Sequence, residues 1–416
     1  MSKSIVIIGA GVIGLSVAHA CARAGARVTL LERNGPVRNG CSYGNLGMVV
    51  PSHFVPLAAP GMVALGLKWM WNPESPFYIK PRLSAALLAW GVRFWSACTP
   101  QRVAAAAIVL RDLHMLSREV FRELDAEGMD FGLEQKGLLM LCKTRHGLDE
   151  EASTAARARE LGIPAEVLDA KQTAAVDPGI TMNVAGAVYF PKDCHLQPER
   201  YLAALQNAND SLGVECVWNA QILDWSMEKG VIRSVRTGDG DISGDEFVVC
   251  GGVWSEEIAR PLRLSLPMQA GKGYTLTLAK PPELPTICSI FTEARVAVTP
   301  MGGSLRFGGT MEIAGLNEAV TARRVRGIVK AVSEYYPAFA PSLFEGLEPW
   351  SGLRPCSPDG LPYLGRTRRW RNLTVATGHA MMGLSLAPVT GRIVAQILHG
   401  ETPSCDLRLL SPDRYA

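Results

Sequence analysis

Apolar residues are grouped along the chain in short runs that alternate with glycine-rich turns and segments of helical periodicity. Residues 4–8 read Ser-Ile-Val-Ile-Ile, a short apolar run typical of a strand. A glycine-rich turn follows, residues 15–24 have helical spacing, and residues 27–31 form a second apolar run. Gly25 ends the predicted helix. The pattern therefore predicts a strand, a turn, a helix and a second strand over residues 4–32.

The pattern of the remaining chain predicts further helices and strands. Residues 147–178 are predicted to be helical and then loop-like. Beyond them the pattern predicts helices at 198–209, 318–336 and 384–399, strands at 214–218, 246–250 and 373–376, and a hairpin of 222–227 with 231–237. Between residues 264 and 310 the sequence is β-rich with alternating runs, which suits an antiparallel sheet with one exposed face. Together these elements predict an α/β protein.

Three glycines mark the first turn at the spacing of a nucleotide-binding loop. Gly9 would allow the turn, Gly11 would let the backbone approach a pyrophosphate, and Gly14 would let the helix pack closely on the sheet. The N-terminus of the following helix offers unpaired N–H groups to an anion. Glu32 ends the second strand, where a carboxylate can accept hydrogen bonds from ribose hydroxyls. The combination predicts a dinucleotide site, and a purely structural turn is the alternative.

Composition narrows the class of partner. The chain has 416 residues, of which 48% are hydrophobic and 19% charged, with a formal net charge of +3. This length suits two domains, and the absence of a Lys or Arg run argues against a nucleic-acid partner. The ten cysteines include no Cys-x-x-Cys pair, so no metal site or redox dithiol is predicted. The N-terminus lacks the pattern of a signal peptide. We therefore expect a cytoplasmic protein with a small-molecule partner.

Residues 54–98 combine tryptophans with an excess of basic residues. The segment contains Trp69, Trp71, Trp90 and Trp95, and its four basic residues and one acidic residue sum to the +3 of the whole chain. Charges interrupt it too often for a membrane-spanning helix. Two interpretations stay open. The segment either packs between domains or makes a peripheral contact with the inner face of a membrane, because aromatic and basic side chains favour the headgroup region.

Several short motifs follow one another along nearly the whole chain. They are Gly9 to Gly14 with Glu32-Arg33, Ser42 to Gly47, 58–61 with 67–70, Gly251 to Ser255, Gly352 to Pro355 with Pro358-Asp359, and Gly378 to Gly383. In this order they resemble the FAD-dependent D-amino-acid oxidase superfamily. The aromatic segment after Ser42 is most similar to bacterial D-amino-acid dehydrogenases. It is also similar to dehydrogenases and oxidases of cyclic D-imino acids such as cis-4-hydroxy-D-proline.

The resemblance implies a non-covalently bound FAD. The pyrophosphate would lie at the first glycine turn, the ribose at Glu32 and the adenine beside Arg33, while the loops after residues 42 and 378 would reach the flavin. The residues implied as FAD contacts are Gly9, Gly11, Val12, Ile13, Gly14, Glu32, Arg33, Ser42, Asn45, Gly47, Met48, Ile222, Gly251, Gly252, Trp254, Gly378, His379, Gly383, Leu384 and Ser385.

The same resemblance implies two domains. A Rossmann-like FAD-binding domain would be built from the discontinuous segments 1–50, 143–260 and 345–416. Segments 51–142 and 261–344 would form an α+β substrate-binding domain with a mainly antiparallel sheet.

For the substrate, the resemblance implies that Arg354 pairs with a carboxylate, since a guanidinium binds carboxylates bidentately. Tyr274 would add a phenolic hydrogen bond or be a core tyrosine, and His53 would contact a polar substituent or be structural. No residue is assigned as an acid or base. The implied reaction is hydride transfer from Cα of a D-amino acid to flavin N5. The product is an imino acid, which stays a pyrroline carboxylate if cyclic and otherwise hydrolyses to a 2-oxo acid and ammonia.

Alternative functions stay open at this point. One is a glycine- or sarcosine-type amine oxidase, and another is a non-catalytic flavoprotein that binds a partner or a membrane. An NAD-dependent dehydrogenase is disfavoured, because the chain lacks a second glycine turn for nicotinamide binding. The electron acceptor, a quinone of the respiratory chain or oxygen, is not predicted by the sequence.

Overall fold

The computed structural model describes residues 2–37, 40–70, 72 and 74–416. Its strands, numbered along the chain, are β1 Ser4–Ile8, β2 Arg27–Leu31, β3 Met48–Val49, β4 Phe77–Ile79, β5 Leu138–Cys142, β6 Glu166–Asp169, β7 Gly186–Phe190, β8 Cys194–His195, β9 Glu215–Val217, β10 Asp224–Glu228, β11 Val231–Thr237, β12 Gly240–Ser243, β13 Glu246–Val249, β14 Gln269–Leu278, β15 Cys288–Phe291, β16 Val296–Met301, β17 Ser304–Ile313, β18 Trp350–Cys356, β19 Tyr363–Arg366 and β20 Leu373–Thr377.

The α-helices of the described residues are α1 Val12–Arg23, α2 Met62–Met70, α3 Ala85–Ala97, α4 Pro100–Ala126, α5 Arg145–Glu160, α6 Ala170–Val176, α7 Pro198–Ser211, α8 Ser255–Ala259, α9 Ala322–Tyr335 and α10 Ala387–His399. Short 3-10 turns occur at Gly252–Trp254, Pro341–Phe344, Ala380–Met382 and Arg408–Leu410.

A six-stranded sheet carries the N-terminal unit in the order β19-β20-β13-β1-β2-β9. All its pairings are parallel except that of β19 with β20. Alternate residues of β1 enter different cores, Ile5 and Ile7 on one face and Val6 and Ile8 on the other. Burial on both faces explains why this strand is a continuous apolar run. The predicted strand–turn–helix–strand unit is confirmed.

The face of the six-stranded sheet that carries Val6 and Ile8 is covered by the antiparallel strands β10, β11 and β12. The predicted hairpin is confirmed as the pairing of β10 with β11, and β12 adds a strand that the pattern did not predict. Trp225 of β10 packs against Phe247 of β13 with ring centroids 6.0 Å apart. The hairpin layer therefore closes the second core of the six-stranded sheet.

A nine-stranded sheet forms the other half of the fold, in the order β18-β14-β17-β16-β15-β5-β7-β6 with β4 beside β17. Its pairings are antiparallel except β15 with β5 and β17 with β4. The α/β class and the mainly antiparallel second sheet are thus confirmed. Strands β6 and β7 belong to this sheet, although the predicted boundaries assign residues 143–260 to the FAD-binding domain. The division into domains itself stays a prediction.

Two predicted helices begin later than expected. Helix α9 begins at Ala322 and not at residue 318, because the preceding backbone is held by strands. The N–H of Thr321 donates to the Tyr274 hydroxyl, and the Ser351 hydroxyl donates to the carbonyl of Glu318. Helix α10 begins at Ala387 and not at residue 384, because a 3-10 turn over Ala380–Met382 precedes it.

Within residues 54–98, the structure forms α2, β4 and α3, and Trp71 lies outside the described residues. Trp90 is buried and its indole N–H donates to the carbonyl of Cys356 at 3.0 Å. The opposite face of α3 is apolar and open, with Leu88, Val92 and Trp95 exposed by 72%, 58% and 69%. No helix of the described chain combines the length and apolar character needed to cross a bilayer.

Candidate functional site

A cleft of about 610 Å³ opens at the carboxyl ends of β1, β2, β13 and β20 and extends to β18. Such a position, at the carboxyl edge of a parallel sheet, is where open α/β proteins bind ligands. The predicted site residues that line it are Gly9, Gly11, Val12, Ile13, Glu32, Arg33, Ser42, Asn45, Ile222, Gly251, Gly252, Trp254, Arg354, Gly378, His379, Gly383 and Leu384. The structure therefore brings residues from distant parts of the chain to one cleft.

The three glycines of the first turn have distinct surroundings. A Cβ on Gly9, where φ is +105°, would lie 2.7 Å from the carbonyl oxygen of Cys250, and a Cβ on Gly14 would overlap the carbonyl of Gly9. A Cβ on Gly11 would meet no described atom within 4 Å. Gly11 also caps α1, whose first turn receives no side-chain hydrogen bond from it. The first N–H groups of a helix have no partner within the helix, and beside open space such groups fit an anionic pyrophosphate.

The carboxylate of Glu32 is fixed beside this turn. It accepts hydrogen bonds from the N–H of Ala10 at 2.9 Å and from the N–H of Asn34 at 3.0 Å. A carboxylate offers about four acceptor positions, so Glu32 retains capacity for further hydrogen bonds. Its position in the cleft fits the ribose contact that the resemblance implies.

A flat wall is formed where Arg33 and Trp254 meet. The Arg33 guanidinium lies 3.6 Å from the centroid of the Trp254 ring, a cation–π contact. Both residues line the cleft next to Gly251 and Gly252. Planar groups stacked in this way fit the side of an aromatic base, as expected for the adenine end.

At the other end of the cleft, His379 is held as a neutral side chain. Burial lowers its pKa to about 3. Its Nε2 lies 3.1 Å from the hydroxyl of Thr390, which itself donates to the carbonyl of Leu386 at 2.7 Å. Because the threonine proton is used there, His379 Nε2 must be the donor. The ring is thereby locked against α10 and contributes no charge to the predicted flavin region.

The described cleft lining does not include four of the predicted FAD residues, which are Gly14, Gly47, Met48 and Ser385. A Cβ on Gly47 would overlap the carbonyl of Leu196, and Met48 pairs with His195 between β3 and β8. These residues position the loops that line the cleft, and their direct contact with FAD stays a prediction.

Ser385 joins the two predicted flavin-side segments. Its hydroxyl accepts a hydrogen bond from the N–H of Val50 at 3.1 Å and lies 3.0 Å from Nδ1 of His114. Its carbonyl accepts from the Ser117 hydroxyl at 2.6 Å. Helix α4, which carries His114 and Ser117, was not part of the predicted site. Burial and the nearby His53 lower the pKa of His114 to about 3, so it connects these segments as a neutral ring.

Arg354 points into the cleft from β18. Its Nη1 donates to the carbonyl of Thr310 at 2.8 Å, and it forms no ion pair within the described part of the chain. A Cβ on Gly273 would overlap its guanidinium, so this glycine makes room for it. A partly buried cation without a counter-ion, aimed at a cleft, is suited to a carboxylate ligand.

Tyr274 does not line the cleft. It is fully buried, and its hydroxyl donates to Oε2 of Glu312 at 2.6 Å. Burial and this carboxylate raise its pKa to about 12. The position corresponds to the alternative of a core tyrosine, and we do not carry Tyr274 into the proposed site.

His53 likewise lies away from the cleft lining. Its Nδ1 is 3.1 Å from the Ser52 hydroxyl, which also contacts Oδ2 of Asp193 at 2.5 Å. Burial and the charge of Arg295 lower the pKa of His53 to about 4. Burial raises the pKa of Asp193 to about 7 in spite of its hydrogen bonds from Ser52. The geometry corresponds to the structural alternative for His53, which shares a buried network with Asp193.

Two cleft residues near Arg354 were missed by the sequence reasoning. The indole of Trp350 lies against both Gly44 and Gly352, because a Cβ on either glycine would overlap its ring. Glu318 lines the same cleft. For Trp350 a signal was present, because Gly44 and Gly352 belong to two separate motifs and both leave room for its ring. For Glu318 there was none, since the periodicity assigns its segment to a helix.

The chain resembles known FAD-dependent proteins over nearly its whole length. A family profile described as FAD dependent oxidoreductase matches residues 4–397. The chain is 30% identical over 425 residues to D-amino acid dehydrogenase of Bradyrhizobium diazoefficiens and 33% identical over 423 residues to that of Methylobacterium radiotolerans, with 99% of both chains covered each time. These matches confirm the resemblance and the FAD cofactor.

Solved structures share the fold. Glycine oxidase from Geobacillus kaustophilus superposes with a TM-score of 0.79 at 24% identity over 100% of both chains. L-proline dehydrogenase from P. horikoshii gives a TM-score of 0.75 at 18% identity, covering 100% of this chain and 98% of that one. At these identities the likeness establishes the fold alone.

We predict that Gly11→Val separates cofactor binding from folding. The new side chain meets open space in the protein but enters the expected pyrophosphate position. The variant should therefore retain the unfolding temperature of the apoprotein and lose most bound FAD, measured by visible flavin absorbance. Gly14→Val is the matched comparison and should destabilise the apoprotein as well. Full FAD retention by Gly11→Val would place the pyrophosphate elsewhere.

We also predict a pH-dependent stability difference for Asp193→Asn. The folded-state pKa of Asp193 is raised to about 7 from an ordinary 3.8, so folding favours its protonated form, and wild-type stability falls as pH rises through this window. The asparagine variant cannot titrate at this position. Its free energy of unfolding should therefore rise relative to that of wild type, by roughly 2–4 kcal/mol in total, as the pH increases from the ordinary pKa to the raised one. Denaturant unfolding at several pH values measures it. A pH-independent difference would contradict the assignment.

Proposed function

Because this chain belongs to the FAD-dependent oxidoreductase family, we propose that it oxidises the Cα–N bond of a D-amino or D-imino acid. Its relatives over the full length are D-amino acid dehydrogenases. The single observation that carries the proposal is Arg354, a guanidinium without an ion-pair partner among the described residues, which lines the same cleft as the predicted flavin-contact loops.

In this proposal Arg354 determines the orientation of the substrate. The hydrogen bond to the Thr310 carbonyl fixes Nη1, which leaves the remaining donors of the guanidinium for a carboxylate. Trp350 and Gly352 line the same cleft, and the indole of Trp350 lies against Gly352. A carboxylate held here would keep Cα in the cleft that Gly378, His379 and Gly383 also line. Positioning of this kind lowers the barrier without a strong base.

Bound FAD would supply the redox chemistry by accepting the hydride from Cα while the Cα–N bond becomes a C=N bond. The substrate amine binds neutral or loses its proton before this step, so the neutral amine is the reactive form. The buried and neutral His379 keeps positive charge off this region.

A cyclic substrate is the finer form of the proposal. The aromatic segment after Ser42 is most similar to that of bacterial D-amino-acid dehydrogenases and is also similar to that of enzymes acting on cyclic D-imino acids such as cis-4-hydroxy-D-proline. The second likeness supports a secondary cyclic amine such as D-proline or its hydroxylated form. Its product would be a pyrroline carboxylate, whereas an acyclic D-amino acid would give a 2-oxo acid and ammonia. Glycine and sarcosine serve as the comparison substrates, because the alternative function is a small-amine oxidase.

For the electron acceptor we propose a membrane quinone, reached through a peripheral contact of the α3 face. Leu88, Val92 and Trp95 form an exposed stripe at helical spacing. The segment 54–98 carries an excess of basic residues, which favours an anionic lipid surface. Rapid peroxide formation in air with no reduction of quinone would indicate oxygen as the acceptor.

Replacement of Arg354 tests the substrate assignment. Arg354→Ala should keep bound FAD but lower kcat/KM for D-amino acids. The decrease should correspond to a loss of about 2–5 kcal/mol of binding energy in the transition state, the usual cost of removing one partner of a buried charge pair. Arg354→Lys should recover part of the loss, since lysine keeps the charge but not the fork. Anaerobic flavin reduction measures both. Arg233→Ala on β11 is the control, and near-normal kinetics of Arg354→Ala would reject the assignment.

Vesicle binding tests the membrane contact. The FAD-loaded protein should sediment with phosphatidylglycerol vesicles and less with phosphatidylcholine vesicles. The double variant Leu88→Ser with Val92→Ser should weaken binding by at least about tenfold, because two apolar side chains no longer enter the lipid. Leu212→Ser, at an exposed apolar position after α7, should bind as wild type does. Equal binding by the double variant would contradict the proposal.

A further inference from the structure

Two unpaired charges of opposite sign line the cleft near β18. Arg354 and Glu318 both line it, and neither side chain forms an ion pair with any residue that the structure describes. The charges of Arg354 and Glu318 both affect the pKa of the Cys41 thiol, which also lines the cleft. Burial raises the Cys41 pKa to about 11, with Glu318 acting in the same direction and Arg354 opposing it. The carboxylate and the guanidinium therefore share one region of the cleft without neutralising each other.

The backbone that carries Glu318 is fixed to the strands of the substrate region. The Ser351 hydroxyl donates to the Glu318 carbonyl at 2.6 Å, and Nζ of Lys272 donates to the Ala319 carbonyl at 2.6 Å. Ser351 lies on β18, the strand that also carries Arg354. The backbone of Glu318 is thus held relative to the strand that carries Arg354, while the side chain of Glu318 is exposed and lines the cleft.

The chemistry of the reaction limits what this carboxylate can bind productively. Contact with the α-ammonium group would stabilise the protonated amine and raise its pKa, which opposes oxidation of the neutral form. A donor farther from Cα carries no such disadvantage. A hydroxyl or a cationic group there would donate to the carboxylate in a charge-assisted hydrogen bond.

We propose that Glu318 selects substrates with a hydrogen-bond donor at the end distant from the carboxylate that Arg354 holds. The inference rests on the proposed function and deepens it by naming the substrate class. It assigns to Glu318 the recognition of a polar substituent that the sequence reasoning gave to His53, which lies away from the cleft lining. Hydroxylated cyclic D-imino acids and D-amino acids with a basic side chain both satisfy this chemistry.

Paired substrates test the proposal by anaerobic flavin reduction of the FAD-loaded protein. Wild type should favour cis-4-hydroxy-D-proline over D-proline, or D-lysine over D-norleucine, by roughly tenfold or more in kcat/KM. Glu318→Ala should abolish whichever preference is found. Glu318→Gln should retain much of a hydroxyl preference, because the amide oxygen still accepts, but lose a preference for D-lysine. Glu345→Gln, at an exposed carboxylate after Pro341–Phe344, should preserve both ratios.

Distinct results would overturn the proposal. Ratios that Glu318→Ala leaves at the wild-type value, or a wild type without either preference, reject the role of Glu318 while the D-amino acid function stands. An equal loss for all substrates with a shifted acidic limb of the pH profile indicates contact with the α-amino group and also rejects it. Failure of every D-amino acid to reduce the flavin rejects the proposed function itself.

Discussion

The close approach of backbone segments at the first glycine turn is the constraint on which the site depends. Gly9 lies against the carbonyl of Cys250 at the end of β13, and Gly14 lies against the carbonyl of Gly9. This packing brings the N-terminus of α1 to the carboxyl edge of the parallel sheet. Glu32 is fixed there too, because it accepts from the N–H of Ala10. Backbone geometry therefore defines where a pyrophosphate and a ribose fit, and the rest of the cleft extends from that point.

The part of the cleft where we expect the adenosine was predictable as a structure, because the elements that form it are close together in the sequence. Two paired strands, one turn and one helix within residues 4–32 bring the glycine turn and Glu32 together, and the N–H of Ala10 in that turn donates to the Glu32 carboxylate. The neighbouring Arg33 needed only the loop after β13 to meet Trp254. The fold class followed for the same reason, since continuous apolar runs mark the parallel sheet and alternating runs the antiparallel one.

The substrate half depends on pairings between distant residues, which periodicity does not contain. Tyr274 is taken into the core by Glu312 on the neighbouring strand β17, and Ser52 beside His53 is bound by Asp193, which lies 141 residues away. The start of α9 was wrong because Tyr274 and Ser351 hold the preceding backbone. Glu318 consequently lies in an extended segment at the cleft, where a helical reading gave it no role.

The backbone of the glycine turn shapes one end of the cleft, where we expect the dinucleotide, and Arg354 lines the other end, where we propose that it holds a carboxylate. The central claim is the oxidation of D-configured substrates by bound FAD. The most direct measurement is anaerobic bleaching of the purified yellow protein by matched enantiomers of proline, hydroxyproline and linear amino acids. We predict bleaching by D-enantiomers and none by their L-counterparts. Bleaching by L-enantiomers alone, or by glycine and sarcosine alone, would contradict that claim.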